Sequence, residues 1–232
     1  MNQNLQAAGK GFVLLLLMCT GIKSATAQSQ WLLPLEVENR ASLRNVRLTN
    51  IGAFALPRKT RPTVSTHLHA GIDFARWARD KDTVRVFAAS AGKVISVRTD
   101  GAFAQIIIEH HDRGKKLWTV YEHVAGIRVR PGEMVSSQTV IARLMSREEL
   151  VHYGWQFNHL HFEILIAPPK PLVPTLRTPH RYFMTYALEC ETEAELLQRY
   201  INPPEFFKSR WQHYNLSKSS GSASEALSKT RK

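Results

Sequence analysis

Cysteine is nearly missing from this chain, with only Cys19 and Cys190 among 232 residues. Cys19 falls in an N-terminal stretch expected to be removed, so one thiol remains. A single thiol closes no internal disulfide and builds no cysteine-rich structural metal site. The fold must then hold by core packing, by a metal with other ligands, or by both. Cys190 stands between Glu189 and Glu191. Neighbouring carboxylates raise a thiol pKa, so it reads as structural rather than nucleophilic. Long hydrophobic runs are also lacking. The apolar run from Phe12 to Cys19 is far short of the roughly 20 residues that a membrane-spanning helix needs. No internal repeat is present, which excludes a solenoid. Acidic residues are scarce, 19 against 31 Lys and Arg, for a formal charge of +12.

What is present at the N-terminus points to export. Lys10 precedes the apolar run, and Ala25-Thr-Ala27 then supplies small residues at the −3 and −1 positions. This is the pattern of a secretory signal peptide over residues 1–27. Leu16-Leu-Met-Cys19 hints at a lipoprotein signal, but Met18 is bulky where a small residue is required. The expected mature chain starts at Gln28, carries no transmembrane helix, and works in the periplasm, outside the cell or in the cell wall. It keeps 29 basic against 19 acidic residues, a surplus of ten. That surplus favours polyanionic partners. With export and no nucleic-acid-binding motif, the expectation is anionic cell-envelope polymers and no nucleic acid.

A hydrophobic content of 44% allows a proper core and a charged content of 22% is ordinary for a soluble protein. Short strands are expected from about Ala70: 84–88, 92–97, 103–109, 117–121 and 140–144, the second and third joined by a hairpin turn at Asp100-Gly101. Arg130-Pro-Gly-Glu133 is another turn. Such spacing predicts a mainly β fold, a compact antiparallel sheet or sandwich, rather than βαβ units. Leu43 to Thr49 reads equally as strand or short helix. Residues 145–158 read as a helical turn capped by Ser146, with Glu149 three residues on, or as a mobile loop. Prolines 168, 169, 171, 174 and 179 predict an extended connector that cannot donate sheet hydrogen bonds. Thr192-Glu-Ala-Glu195 predicts a capping box opening one short helix to Tyr200, stopped by Pro203 and Pro204. From Leu216 the Ser/Lys-rich tail is expected to be disordered. The organisation expected is therefore a signal peptide over 1–27, an N-terminal segment 28–51, a β domain 52–166, a C-terminal extension 167–215 and a tail 216–232.

The chemistry gathers in three places. In a strand, His159, His161 and Glu163 share one face while Leu160, Phe162 and Ile164 turn inward. Upstream stand His69-Ala-Gly-Ile-Asp73 and Tyr121-Glu-His123. Fully extended, His69 and Asp73 would lie about 13 Å apart, too far to share an ion, so the backbone must bend, and Gly71 offers the freedom to do so. His69, Asp73 and His161 together offer two imidazole nitrogens and one carboxylate oxygen, the donor count of a catalytic zinc site with one open position. His123 and His159 then suit proton transfer and oxyanion stabilisation, since imidazole titrates near neutrality. His67 forms its own His-Leu-His with His69 and stays an alternative ligand. Glu163 reads equally as a carboxylate orienting a histidine or as a plain strand residue. His110 reads as structural, His152, His180 and His213 as surface, and Tyr153 and Trp155 as core or rim.

In this order His69-x-Gly-x-Asp73, Tyr121-x-His123 and His159-Leu-His161-Phe-Glu163 resemble the lysostaphin/LytM-type zinc metallopeptidases, which cut peptidoglycan cross-bridges. The likeness spans roughly residues 52–166, including Phe87-Ala-Ala-Ser-Ala-Gly-Lys-Val, Ile108-Glu-His110 and Val129-Arg-Pro-Gly-Glu-Met-Val135. It implies zinc on His69, Asp73 and His161, a catalytic pair of His123 and His159, and a groove across a mostly antiparallel sheet. The chain departs from the family at Ser137 and Ala142, where glycine is usual, and at Asn158, where proline is common. Its 143–158 stretch has Gly154 alone where the family carries a Gly/Thr-rich loop. The expectation is an exported zinc metalloendopeptidase, a peptidoglycan peptide hydrolase. The alternative is a non-catalytic relative that binds cell wall or activates another hydrolase. The C-terminal extension lies outside the likeness and is placed to fold over the groove.

Overall fold

The structure is a computed structural model that describes residues 30–76 and 82–212. The signal-peptide expectation and the tail from Leu216 lie outside the described residues. Among the described residues thirteen strands follow in chain order. They are β1 (Pro57–Arg58), β2 (His67–Leu68), β3 (Ile72–Ala75), β4 (Arg85–Phe87), β5 (Gly92–Arg98), β6 (Gln105–Asp112) and β7 (Lys115–Glu122). Then come β8 (Val124–Ala125), β9 (Met134–Val135), β10 (Val140–Leu144), β11 (His159–Leu165), β12 (Lys170–Pro171) and β13 (Phe183–Met184). The main sheet has six strands in the order β3-β11-β7-β6-β5-β9, and a second has three in the order β4-β10-β8. Every pairing in both is antiparallel, so the fold is mainly β.

Alternation along the central strands decides the layers. Val94, Ile106, Ile108, Tyr121, Phe162 and Ile164 leave one face of the main sheet for a core shared with Val86, Ile141 and Leu144 of the smaller sheet. Trp31, Leu33 and Leu35 from before the strands enter the same core, as do Phe206 and Phe207 from near the C-terminus. On the opposite face, Ile107, Trp118, Val120 and Leu165 are covered by Cys190, Leu196 and Tyr200 of the C-terminal extension. Each buried aliphatic or aromatic side chain contributes about 1.5–3 kcal/mol, and the two faces together use both ends of the chain.

Several local expectations meet the structure directly. The helix α1 (Arg147–Tyr153) starts at Ser146 with a complete capping box to Glu149, which settles the 145–158 stretch as helix followed by a 3-10 turn at Trp155–Phe157. The helix α2 (Glu193–Arg199) likewise starts at Thr192 with Glu195 closing the box. Leu43 to Asn45 forms a 3-10 helix, and Leu48 makes an isolated bridge to Phe74. The proline-rich connector does enter a sheet, because Lys170 and Pro171 pair with Met184 and Phe183. Proline lacks only the donor and still offers its carbonyl. One short helix was expected, yet α1 and a further helix, α3 over 203–212, stand beside α2. Pro203 and Pro204 begin α3 and do not stop α2, which has already ended at Arg199. Proline fits a first helical turn, where its missing N–H costs nothing.

Candidate functional site

The strand β11 carries the alternation its sequence requires, with Leu160, Phe162 and Ile164 in the core and the histidines on the other face. Asp73 arrives by register, since it is the direct cross-strand partner of His161. His69 sits in the segment leading into β3, where its N–H donates to the Leu56 carbonyl and its own carbonyl accepts from Ala55. The bend between His69 and Asp73 is present at Gly71. Its cause is crowding, because a Cβ there would lie 2.3 Å from the Phe162 carbonyl oxygen. Gly71 thus gives close approach to β11 rather than the unusual backbone angle expected of it.

Three donor atoms converge. His69 Nε2 lies 3.0 Å from His161 Nδ1 and 3.1 Å from Asp73 Oδ1, and His161 Nδ1 lies 2.9 Å from the same oxygen. Their outer partners fix the tautomers. His69 Nδ1 faces the Ala53 carbonyl at 2.9 Å, and His161 Nε2 faces Glu163 Oε1 at 2.9 Å. Carbonyls and carboxylates only accept, so His69 Nδ1 and His161 Nε2 carry their protons outward, while His161 Nδ1 faces a second acceptor in Asp73 and holds a proton there unless a cation replaces it. Two lone pairs and a carboxylate oxygen pointed at one another are mutually repulsive unless a cation, or a proton standing in for one, lies among them. His69, Asp73 and His161 are therefore the group that can hold a metal ion among the described residues.

The electrostatics carry the same message. Burial pulls the His161 imidazole down, but hydrogen bonds to Asp73 and Glu163 outweigh it and hold the pKa at about 10. Burial pushes Asp73 up, and hydrogen bonds from His161 and His69 more than offset it, so its carboxyl stays well below the usual range. Burial lowers His69. The site thus attracts positive charge to the Nδ1 of His161, where metal and proton would compete. The second Asp73 oxygen accepts from Arg58 Nη2 at 3.0 Å, and Arg58 also donates to the Ile51 carbonyl. Sequence reading missed Arg58, whose register in β1 opposite His67 leaves no local signature.

The other two singled-out histidines stand beside this cluster. His123 and His159 meet edge to face with ring centroids 4.9 Å apart, and His159 Nε2 lies 3.5 Å from Asp73 Oδ1. His123 gives its Nδ1–H to the Ala102 carbonyl at 2.7 Å, which leaves Nε2 as its accepting end. It holds a left-handed backbone, φ 62°, uncommon for a residue with a side chain and often found where a site demands it. Burial lowers both pKa values, that of His159 to about 4, so both rings are neutral at pH 7. Phe103 and Phe157 pack on the His123 ring. Glu163 is fully buried, its Oε1 on His161 and its Oε2 without a partner.

The remaining candidates separate from the cluster. His67 turns its Nδ1 to the Ser65 carbonyl and takes no place in it. His110 is buried, bonded to the Ala91 carbonyl and to Thr119, as a structural histidine should be. His152 and His180 are exposed, and His213 lies outside the described residues. Tyr153 and Trp155 belong to the rim rather than to the core, Trp155 being 56% exposed.

Residues 67–171 match the family model described as Peptidase family M23. No curated protein matches the chain. Among solved structures it is similar to a zinc-containing peptidase from Vibrio cholerae at 26% identity and a TM-score of 0.42, over 60% of this chain and 37% of that one. It is similar to the antimicrobial peptidase lysostaphin from Staphylococcus simulans at 19% identity and a TM-score of 0.44, over 73% and 52%. A structure of the SpoIIQ-SpoIIIAH pore-forming complex matches at 21% identity and a TM-score of 0.40, over 74% of this chain and 98% of that one. The chain spans between about a third and a half of the length of the first structures it matches.

Proposed function

We propose that the protein, whose residues 67–171 match the model described as Peptidase family M23, is an exported zinc metalloendopeptidase hydrolysing the peptide cross-links of bacterial peptidoglycan. The observation that carries this reading is the set of three potential ligand atoms within 3.1 Å of one another, with outer hydrogen bonds turning one ring nitrogen of His69 and one of His161 inward. Zinc suits this donor set, and His69 Nε2, Asp73 Oδ1 and His161 Nδ1 would hold it. When bound there it supplies a Lewis acid for the scissile carbonyl and brings the pKa of water towards neutrality. The catalytic unit on this reading spans 52–166, and residues 167–215 are a C-terminal extension, of which the described part, 167–212, packs on it.

The chain's own groups handle the protons. His123 is neutral at pH 7 with Nε2 free to accept, and its Nδ1–H on Ala102 prevents the ring from turning. A neutral imidazole can take a proton from attacking water and return it to the leaving amine. His159 is also neutral and stands against His123, so the pair divides proton transfer and stabilisation of the oxyanion. Glu163 and the Ala53 carbonyl keep the ligand rings oriented, and Arg58 holds Asp73 in place through its second oxygen. The basic surplus of the mature chain draws it to anionic cell-envelope polymers, where its substrate lies.

The test uses the mature chain from Gln28. It is expected to cleave muropeptide dimers, to stop on chelation and to recover with zinc. His161→Ala should lose zinc binding, whereas His123→Ala should keep zinc and lower turnover by at least about 100-fold. A zinc-free protein that cleaves nothing yet activates a separate wall hydrolase would instead establish the non-catalytic reading.

A further inference from the structure

The polar band that starts at the ligand cluster continues across the main sheet. Register aligns Asp73, His161, Glu122, Gln105 and Arg98 as successive cross-strand partners on β3, β11, β7, β6 and β5. Direct antiparallel partners share a face, so these side chains form one row on the side where the histidines stand. Gln105 Nε2 donates to Glu122 Oε2 at 2.5 Å. The Arg98 guanidinium lies 5.5 Å over the Phe103 ring, and that ring stands 5.8 Å from His123. The row is therefore continuous with the catalytic histidines.

At its far end the C-terminal extension comes in. The His180 carbonyl accepts from Val97 N–H, and Ser96 Oγ accepts from the N–H groups of Tyr182 and Phe183. These bonds pin Arg181 beside the end of β5. Arg177 reaches the same place, its Nε 3.9 Å from Asp100 Oδ2. Two guanidinium groups thus meet one carboxylate, and the charge of Arg181 also feels it. Asp100 is gripped through both oxygens by Arg98, and Glu122 is engaged by Gln105. Among the described residues the Arg181 side chain has no hydrogen-bond partner, and its Nε is buried. Burial lowers its pKa, and the charge on Arg98 adds to that. The carboxylates of Asp100 and Glu122 partly offset the like charge of Arg98, but the buried Arg181 Nε still lacks an acceptor, which an incoming anion would supply.

Spacing limits what the anion can be. Three strand separations of about 4.8 Å put Arg98 roughly 14 Å from His161, the reach of about four residues of extended peptide. We propose that Arg177 and Arg181, beside the Arg98–Asp100 pair, form a carboxylate-binding subsite, completed by the C-terminal extension, that takes a free carboxylate of the peptide substrate about four residues from the scissile bond. The planar guanidinium fork matches a carboxylate in two-point contact, which a single ammonium does not. This subsite rests on the peptidase reading and gives the extension a part in choosing the substrate.

Binding without turnover tests it. The mature chain carrying His123→Ala is titrated calorimetrically with a tetrapeptide muropeptide bearing a free C-terminal carboxylate, and with its C-terminal amide. The carboxylate form is expected to bind about 10-fold more tightly. Adding Arg181→Gln should erase that preference, and Arg177→Gln, at a position fully open to water, should reduce it by about threefold, with zinc uptake and thermal midpoint unchanged. Equal affinity for the two peptides, a loss of affinity for both alike in Arg181→Gln, or no binding of either would overturn the subsite. Failure of the peptidase reading shows separately, as intact muropeptide dimers after incubation with the zinc-loaded wild type.

Discussion

His161 has two nitrogens, and which one faces the cluster is decided by Glu163. With the Nε2 proton directed to Glu163 Oε1, Nδ1 is left to join His69 and Asp73. Glu163→Gln keeps an acceptor but removes its charge, so the ring is held less firmly and is a poorer donor to metal. Zinc affinity should fall by about 10-fold, at the low end of the usual cost of losing such a partner, as read by competition with a chromophoric chelator. Unchanged affinity would make Glu163 an ordinary strand residue. Strand alternation singled out His159 and His161 in the sequence, and the structure brings His69, Asp73 and His123 beside them. Arg58 was not legible there, since a guanidinium brought in by a two-residue strand leaves no periodic trace. Glu163 read equally as an orienting carboxylate or a plain strand residue, and its hydrogen bond to His161 favours the first.

At the scale of elements, the site depends on how closely β3 meets β11. Gly71 leaves room for the Phe162 carbonyl, and Gly71→Ala forces a Cβ to within 2.3 Å of that oxygen. Destabilisation of about 1–3 kcal/mol is expected for such overpacking, measurable as a lowered thermal midpoint. An unchanged midpoint would mean that the two strands tolerate separation. The sequence named this glycine for its flexibility, whereas a contact from a strand 90 positions away imposes it. Capping boxes at Ser146 and Thr192 were readable because both partners lie within one turn. Pro203 and Pro204 were misread because proline both ends a helix and suits the first turn of the next, and only the packing of Phe206 and Phe207 on the core distinguishes the two.

Taken as a whole molecule, both ends of the described chain clasp the sheet. Trp31 donates to Asp112 at 3.0 Å, Arg210 holds the same carboxylate, and Trp211 donates to the Trp31 carbonyl. Phe207→Ala in the helix over 203–212 should therefore cost about 3–5 kcal/mol in denaturant melts, much as a residue from the middle of the core would. Sequence reading placed the C-terminal extension outside the resemblance and expected no helix at 203–212, because long-range contacts of this kind are not written in local pattern. Acid should weaken the whole fold as well. His110 is buried neutral with its pKa lowered to about 4 by burial, so the unfolded chain takes up a proton from pH 6.5 downward while the folded chain resists. Stability from this group is complete above pH 6.5 and lost as pH falls towards 4, roughly 3 kcal/mol in all. His110→Gln should flatten the stability slope between pH 7 and 5, and an unaltered slope would place the acid sensitivity elsewhere.

The central claim is that His69, Asp73 and His161 present three inward-facing donors to a single ion. X-ray absorption at the zinc edge, on the mature chain loaded with one equivalent of zinc, tests it most directly. The account predicts a nitrogen and oxygen shell at about 2.0–2.1 Å with scattering from two imidazole rings, and loss of the bound zinc in Asp73→Ala. A sulfur shell, a fully aquated ion, or an unaltered spectrum in Asp73→Ala would contradict it.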